Sequence, residues 1–389
     1  MKRIFMAHNH YLQPGGEDES FAAEASALER SGHHVTRYAV HNSQIEKANM
    51  IANSMRAVWN GDVYSELVER FRRERFDVAH FQNTFPIISP SAIHAARTAR
   101  LPVVQALRNY RLTCVNGLLF REGKDCRLCV GSKVPWHGVR YRCYRSSAAA
   151  SAAVALMLAV HRAMKTYSTH VHLFLVLSAF MKRVFVQSGL PEEKIFVKPN
   201  CVYPDPGVGQ GRGRFALFVG RLTEEKGVRT LLDAWSHSGR HMPLKVVGTG
   251  PLQEHVSTMS KGDVEYLGAL GHSAVLELMG QASVVVVPSE WQEPFGRVVI
   301  EAFAKGTPVI ASDAGALPEI VDHRRTGLVF PSSDTQQLTQ RLEWVLEHPE
   351  ALAKMRVEAR EEYVTRYAAD TNVVHLLEAY DRAHDVAAR

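Results

Sequence analysis

The sequence predicts an α/β chain made of two Rossmann-like, doubly wound domains, each a parallel sheet covered by helices. Three observations carry the prediction. The chain has 389 residues, more than one ordinary hydrophobic core accommodates. Short apolar runs alternate with helical stretches along most of its length, the pattern of right-handed βαβ units. Near the middle, CVYPDPGVGQGRGR (201–214) interrupts the series with Gly and Pro and reads as a linker.

The first series of strand-like runs covers 3–8, 34–40, 77–83, 102–109, 173–178 and 195–200. After the first run come Gly15 and Gly16, then a helix beginning near Glu17. No G-x-G-x-x-G follows that run, which argues against a dinucleotide dehydrogenase. AAASAAVALMLAV (148–160) is short for a membrane span and is followed by His161 and Arg162, so it reads as a packed helix. The second series covers 215–220, 244–248, 264–268, 283–289, 308–312 and 327–330, and beyond about 335 the pattern is helical and charged. The expected domains are 1–200 with a Cys-rich insertion at 109–146, then 201–367, then a final helix within 368–389.

Composition narrows the class. With 46% hydrophobic and 22% charged residues the chain reads as globular, and MKRIFMAHNH runs straight into a strand without the apolar core of a signal peptide, which predicts a cytoplasmic protein. Charge is uneven. Residues 1–200 hold 27 Lys and Arg against 15 Asp and Glu, and the remainder holds 19 against 25. A basic first half suits an anionic partner such as a membrane surface or a phosphate-bearing acceptor.

The densest chemistry lies in VVVVPSEWQEPFGRVVIE (284–301). Four valines read as a buried strand, and Pro294 suits the opening turn of a helix. Glu293 then sits in the loop, the N–H groups of Phe295, Gly296 and Arg297 form a helix N-terminus able to hold phosphate or a sugar hydroxyl, and Glu301 lies two turns deeper. Arg221 and Lys226 flank a short loop after another strand, a placement that suits a diphosphate. Gly248, Thr249, Gly250 and Pro251 form a tight turn that lets a backbone approach a flat base or ribose. No Asp-x-Asp pair occurs, so metal-bound diphosphate chemistry is not expected.

EPFG after a valine strand, with KGTPVIASDAGALPEIV (305–321) beyond it, resembles the donor-binding signature of glycosyltransferase family 4, retaining enzymes of the GT-B fold. The resemblance extends along almost the whole chain. It implies two Rossmann-like domains facing a central cleft, with the last helix crossing back to the first domain. It also implies transfer of a hexose from a GDP- or UDP-sugar to a hydroxyl of a glycan or lipid-linked acceptor, with no cofactor required. GRLTEEKG resembles the family's diphosphate loop, which carries the role to Arg221 and Lys226. By the same resemblance Glu301 holds the donor ribose, Glu293 and the following amides hold the transferred sugar, Gly16 lies beside the donor phosphates and Glu17 near the acceptor. HFQNTFPIISP (80–90) resembles HxHNTFP, supplying His80 and Asn83, with Gln82 where the second His stands. RNYRLTC resembles a segment opening with His or Arg, supplying Arg108 and Asn109 to the acceptor.

Cys114, Cys126, Cys129 and Cys143 fall within one Arg-rich segment. Their spacing leaves a structural zinc site, reduced thiols, disulfides and an iron–sulfur cluster open. Two alternatives to the main reading remain: a small soluble acceptor, and a basic, zinc-bearing nucleic-acid-binding protein resting on 108–145. No nucleic-acid-binding motif accompanies that segment, and nucleic acid is not the expected partner.

Overall fold

The computed structural model describes residues 1–12, 15–45, 50–237 and 242–388. Two compact units are present, one formed by Met1–Leu119, Cys126–Pro199 and Ala369–Arg389, the other by Phe120–Asp125 and Asn200–Ala368.

The first unit is built on β1 (Arg3–His10), β2 (His34–His41), β3 (Val78–Asn83) and β4 (Val103–Leu107), with β7 (Leu173–Val176) and β8 (Ile195–Val197). All pair in parallel, in the order β2-β1-β3-β4-β7-β8. β4 and β7 are buried along their whole length, as strands covered on both faces must be. The helix Gly16–Arg30 follows β1, and its buried Phe21, Ala25 and Leu28 pack inward. The terminal helix, Ala369–Ala388, belongs to this unit and packs on the helix Gly16–Arg30 and on β7. The apolar run at 148–160 is a packed helix, Ala148–Ala163, and no helix of the described residues is long and apolar enough to cross a membrane.

The second unit holds β9 (Ala216–Val219), β10 (Leu244–Val247), β11 (Val264–Gly268), β12 (Val284–Val287), β13 (Val309–Ser312) and β14 (Gly327–Phe330). These too are parallel, in the order β11-β10-β9-β12-β13-β14. The Val284–Val287 run is fully buried, with Leu231, Leu232, Trp235, Ile310 and Leu338 among the residues of the surrounding core. The two expected sheets are therefore present. The sequence pattern did not reveal a short antiparallel hairpin, β5 (Phe120–Arg121) with β6 (Lys124–Asp125), whose strands are too brief to leave a periodicity.

Candidate active site

In the second unit the strand order reverses between β9 and β12, and open α/β sheets take ligands beyond the strand ends at such a point. β9 and β12 pair only through Ala216–Val284 and Leu217–Val285, so their C-terminal ends part. The loops beyond them are tied together. The Glu290 N–H donates to Glu225 O at 2.9 Å, and Thr230 Oγ1 donates to Glu290 Oε1 at 2.6 Å. Gly227, at φ 68°, packs so tightly that a Cβ would lie 1.8 Å from the Pro288 carbonyl oxygen. Only glycine permits this approach, and it delivers Lys226 to Glu293.

Glu293 is 6% exposed and its Oε2 accepts three hydrogen bonds: from Lys226 Nζ at 2.8 Å, Trp291 Nε1 at 2.8 Å and Ser289 Oγ at 3.0 Å. Lys226 Nζ also lies 5.1 Å from the Trp291 ring centroid. This arrangement fixes the carboxylate rigidly and places a cation next to it. Arg221 contrasts with Lys226. Its side chain is 62% exposed and, among the described residues, pairs with Glu225 alone, at 3.4 Å. Such a surface pair is weak enough to yield to an incoming anion. Glu301 is buried, and Arg297, one turn before it, donates to its Oε1 at 2.8 Å.

One local expectation is corrected. The helix starts at Arg297 and not at Pro294, because Gly296 takes a left-handed conformation (φ 90°) that no helical residue adopts. Phe295 and Gly296 thus belong to the approach, and the N-terminal N–H groups of the helix begin with Arg297. The close approach at Gly248 is made to the protein's own backbone: a Cβ there would lie 1.8 Å from Gly220 O. Leu222 N–H donates to Thr249 O at 2.9 Å, so the Gly248–Pro251 turn braces the segment that carries Arg221.

In the first unit the winding reverses between β1 and β3. Glu17 there accepts from Asn109 Nδ2 at 2.8 Å and from Tyr11 Oη at 3.1 Å, and burial pushes the Tyr11 phenol well up. A hollow beside them is lined by Tyr11, Glu17, Asn83, Gln105, Arg108 and Arg111 among others. Among the described residues, Gln105 Oε1 is buried there without a hydrogen-bond partner. Asn83 is engaged locally, donating to Asn9 O at 2.7 Å and accepting from Phe85 N–H at 3.0 Å. Gly16 is the first residue of its helix.

His80 and Arg108 are placed differently from the acceptor contacts expected of them. His80 is fully buried, its Nδ1 2.8 Å from Tyr380 Oη, and burial lowers its pKa to about 3. It points toward the terminal helix, which supplies Tyr380, on a strand buried from Val78 to Gln82. Arg108 donates to Glu24 Oε1 at 2.8 Å and to Gln82 Oε1 at 2.6 Å, so only part of it borders the hollow. Lys198 Nζ reaches the same Glu24 oxygen at 2.6 Å, and the two cations hold the buried Glu24 carboxyl far below its usual range against the opposing effect of burial. Glu24 and Lys198 escaped the sequence reading because nothing local marks a pair 174 residues apart.

Asp18 was also missed. Its Oδ1 meets His8 Nε2 at 2.8 Å and His10 Nδ1 at 2.9 Å, while Oδ2 accepts from Gly15 N–H at 3.0 Å. The three side chains offer atoms within 4.8 Å of one another, close enough to share a cation. None of the four clustered cysteines forms a disulfide. Burial pushes Cys129 up to about 11, with Cys114, Cys143 and Cys126 near enough to add to the shift. Among the described residues, no three of these sulfurs lie within 4.8 Å of one another.

Residues 14–205 match the model for Glycosyltransferase Family 4, and residues 208–362 match that for Glycosyl transferases group 1. The chain is 32% identical over 162 residues to a D-rhamnosyltransferase, WbpZ, of Pseudomonas aeruginosa, covering 40% of this chain and 42% of that one. It is 31% identical over 176 residues to a phosphatidyl-myo-inositol mannosyltransferase of Mycobacterium leprae, covering 43% and 46%. The chain thus spans less than half the length of these curated relatives. The structure resembles HepE of Anabaena, solved with UDP, at a TM-score of 0.71 and 17% identity, over 97% of this chain and 99% of that one. The architecture of two Rossmann-like units is therefore the GT-B fold, and with both halves matched the chain belongs to glycosyltransferase family 4.

Proposed function

We propose that this protein is a retaining hexosyltransferase that moves a hexose from a nucleotide sugar to a hydroxyl of a glycan or lipid-linked acceptor. The observation that carries the reading is the Lys226–Glu293 pair at the β9/β12 reversal, in a chain whose two halves match glycosyltransferase families. HepE has been solved with UDP-glucose, which favours a UDP-hexose as the first donor to test.

In this reading the bond from the sugar C1 to the diphosphate oxygen breaks as the bond from C1 to the acceptor oxygen forms, and the acceptor proton leaves with the nucleoside diphosphate. Arg221 and Lys226 neutralise the charge that develops on the departing diphosphate, helped by the N-terminus of the helix Arg297–Ala304. Glu293, once a donor engages Lys226, holds the sugar hydroxyls, and Glu301 holds the ribose. The first unit supplies Glu17, Asn109 and the partnerless Gln105 oxygen to the acceptor. No step calls for a metal ion, and zinc at the cysteines would be structural only.

Incubation with UDP-glucose and with GDP-mannose, read as nucleoside diphosphate release and as the anomeric configuration of the product by NMR, tests the reading. Release that depends on acceptor and yields the donor's own anomer supports it. Inverted product, or no binding of any nucleoside diphosphate in a thermal-shift screen, overturns it.

A further inference from the structure

Between Asp125 and Glu192 the chain contains no acidic residue, while it carries Arg127, Lys133, Arg140, Arg142, Arg145, Arg162, Lys165, Lys182 and Arg183. A surface meant only to be soluble mixes its signs, so a run this long with one sign points to an anionic partner. Among the described residues, no carboxylate forms an ion pair with Lys133, Arg140, Arg142, Arg145 or Lys165.

The same segment exposes large apolar side chains. Leu128, Val134, Trp136 and Tyr141 all stand out to solvent, with Trp136 52% exposed. Trp136 and Arg140 lie four residues apart on the short helix Trp136–Arg140, hence on one of its faces, while Val139 packs on the cluster holding Val154 and Leu158. The surface is held in place. Arg162 donates to the Ser132 and Lys133 carbonyls and, at 2.7 Å, to Leu112 O, which fastens the Lys133–Trp136 stretch to the end of the helix Ala148–Ala163. Beyond that helix end stand the exposed Met164 and Lys165. Arg127 and Arg183 both lie over the Phe180 ring, at 6.0 and 5.7 Å, which joins the segment to the helix Ala179–Gln187.

We infer that this face of the first unit docks on an anionic lipid surface, Trp136, Val134 and Leu128 entering the headgroup layer and the unpaired cations meeting lipid phosphates. Aromatic and aliphatic side chains ringed by Lys and Arg match that interface, apolar at one level and charged at the next. Each cation near such a surface strengthens attachment roughly fivefold at low salt. An RNA or another protein offers negative charge without the apolar layer that the exposed Trp136 requires. The inference deepens the proposed function by committing its acceptor to a lipid-borne one, and it rests on that reading only for the acceptor.

The full chain is sedimented with phosphatidylglycerol-rich vesicles and with pure phosphatidylcholine vesicles at low and high salt, and titrated with polyuridine. The expected result is binding to the anionic vesicles alone, reversed by salt and lowered at least about a hundredfold in the variant R140E/R142E/R145E. A second variant, K133E/K165E, is expected to lose about tenfold or more, and serves if the first does not fold by circular dichroism. Bilayer contact is read as quenching by brominated lipid, which drops in W136S. No binding at low salt, binding undiminished in both charge variants, or tighter binding to polyuridine than to the vesicles overturns the inference. Nucleoside diphosphate binding by thermal shift is expected to be unchanged in these variants, so a failed vesicle result leaves the proposed activity standing, and a failed nucleotide result leaves the docking surface standing.

Discussion

Lys226 Nζ and Glu293 Oε2 lie 2.8 Å apart although 67 residues separate them in sequence, and two further donors, Ser289 Oγ and Trp291 Nε1, converge on the same oxygen. Glu293 is thus both the proposed sugar contact and the partner of the proposed phosphate contact, and substitutions at the two positions are coupled.

Replacing Glu293 by alanine leaves three donors without their acceptor. We expect a loss of about 1–3 kcal/mol in stability together with a transfer rate at least about a hundredfold lower. Glu293→Gln, which keeps an acceptor oxygen, is expected to recover most of the stability and little of the rate. Melting temperatures measured beside initial rates separate the two effects. A Glu293→Ala enzyme with normal turnover removes Glu293 from the site.

Arg221 offers the opposite balance. Its side chain is mostly exposed and its pair with Glu225 is loose, so Arg221→Ala is expected to change stability by less than about 0.5 kcal/mol. If it meets the departing diphosphate, transfer falls by about 2–4 kcal/mol of transition-state stabilisation. An unchanged kcat/KM rules out that role.

Chelation provides the third check. Transfer is expected to persist in excess EDTA, because Arg221, Lys226 and a helix N-terminus can carry the diphosphate charge. Activity abolished at once by EDTA and restored by Mg²⁺ or Mn²⁺ contradicts the mechanism. A slow decline that accompanies unfolding and metal release points to the cysteines instead.

The buried ionic centre of the first unit makes a stability prediction. Glu24→Ala strands Arg108 and Lys198 as unpaired buried cations, and we expect a cost of about 3–5 kcal/mol, read from denaturant midpoints. A cost below about 1 kcal/mol means that solvent reaches the cluster.

Acid is expected to destabilise the protein through two kinds of group. Burial lowers His80 to about 3, and His94 and His172 to about 4. Glu24, Arg108 and Lys198 surround His80, His170 and His161 adjoin His94, and Arg97, Lys194 and His170 adjoin His172. A histidine whose folded pKa lies below its unfolded value binds fewer protons in the native state, so its contribution is complete above about pH 6.5 and is lost as pH falls toward 4. Glu24, whose folded pKa is also depressed, loses its contribution as pH falls below the ordinary carboxylate range. Both effects share a sign, and urea midpoints measured from pH 7 to about pH 4 should fall monotonically. A midpoint that rises anywhere in that window contradicts the burial of these groups.

What could be read in the sequence follows from the range of the interactions. The strands of both main sheets were legible because alternation of apolar runs with helices is local and repeats. Lys226 and Glu293 were legible as candidates because each lies at the end of such a run. The helix boundary at 294–297 was misjudged because proline at a helix start is a strong local signal, and the left-handed Gly296 that overrides it is fixed by tertiary packing, where a Cβ would lie 2.7 Å from Leu317. His80 attracted a binding role through its motif, yet its inward direction depends on Tyr380, 300 residues away. Asp18 hid among the acidic residues of a helix first turn, where a carboxylate needs no further explanation.

The terminal helix has a consequence for how the protein is made. Tyr380 lies against His80, and Asn372 Oδ1 accepts from Lys198 at 2.9 Å, yet both arrive only after the entire second unit has been synthesised. The part of the chain that leaves the ribosome first is the last to be finished. Until then His80 lacks Tyr380 and Lys198, though paired with Glu24, lacks one of its acceptors, so the nascent first unit waits in an incomplete state while the second, uninterrupted from Asn200 to Ala368 apart from one borrowed hairpin, is free to fold ahead of it.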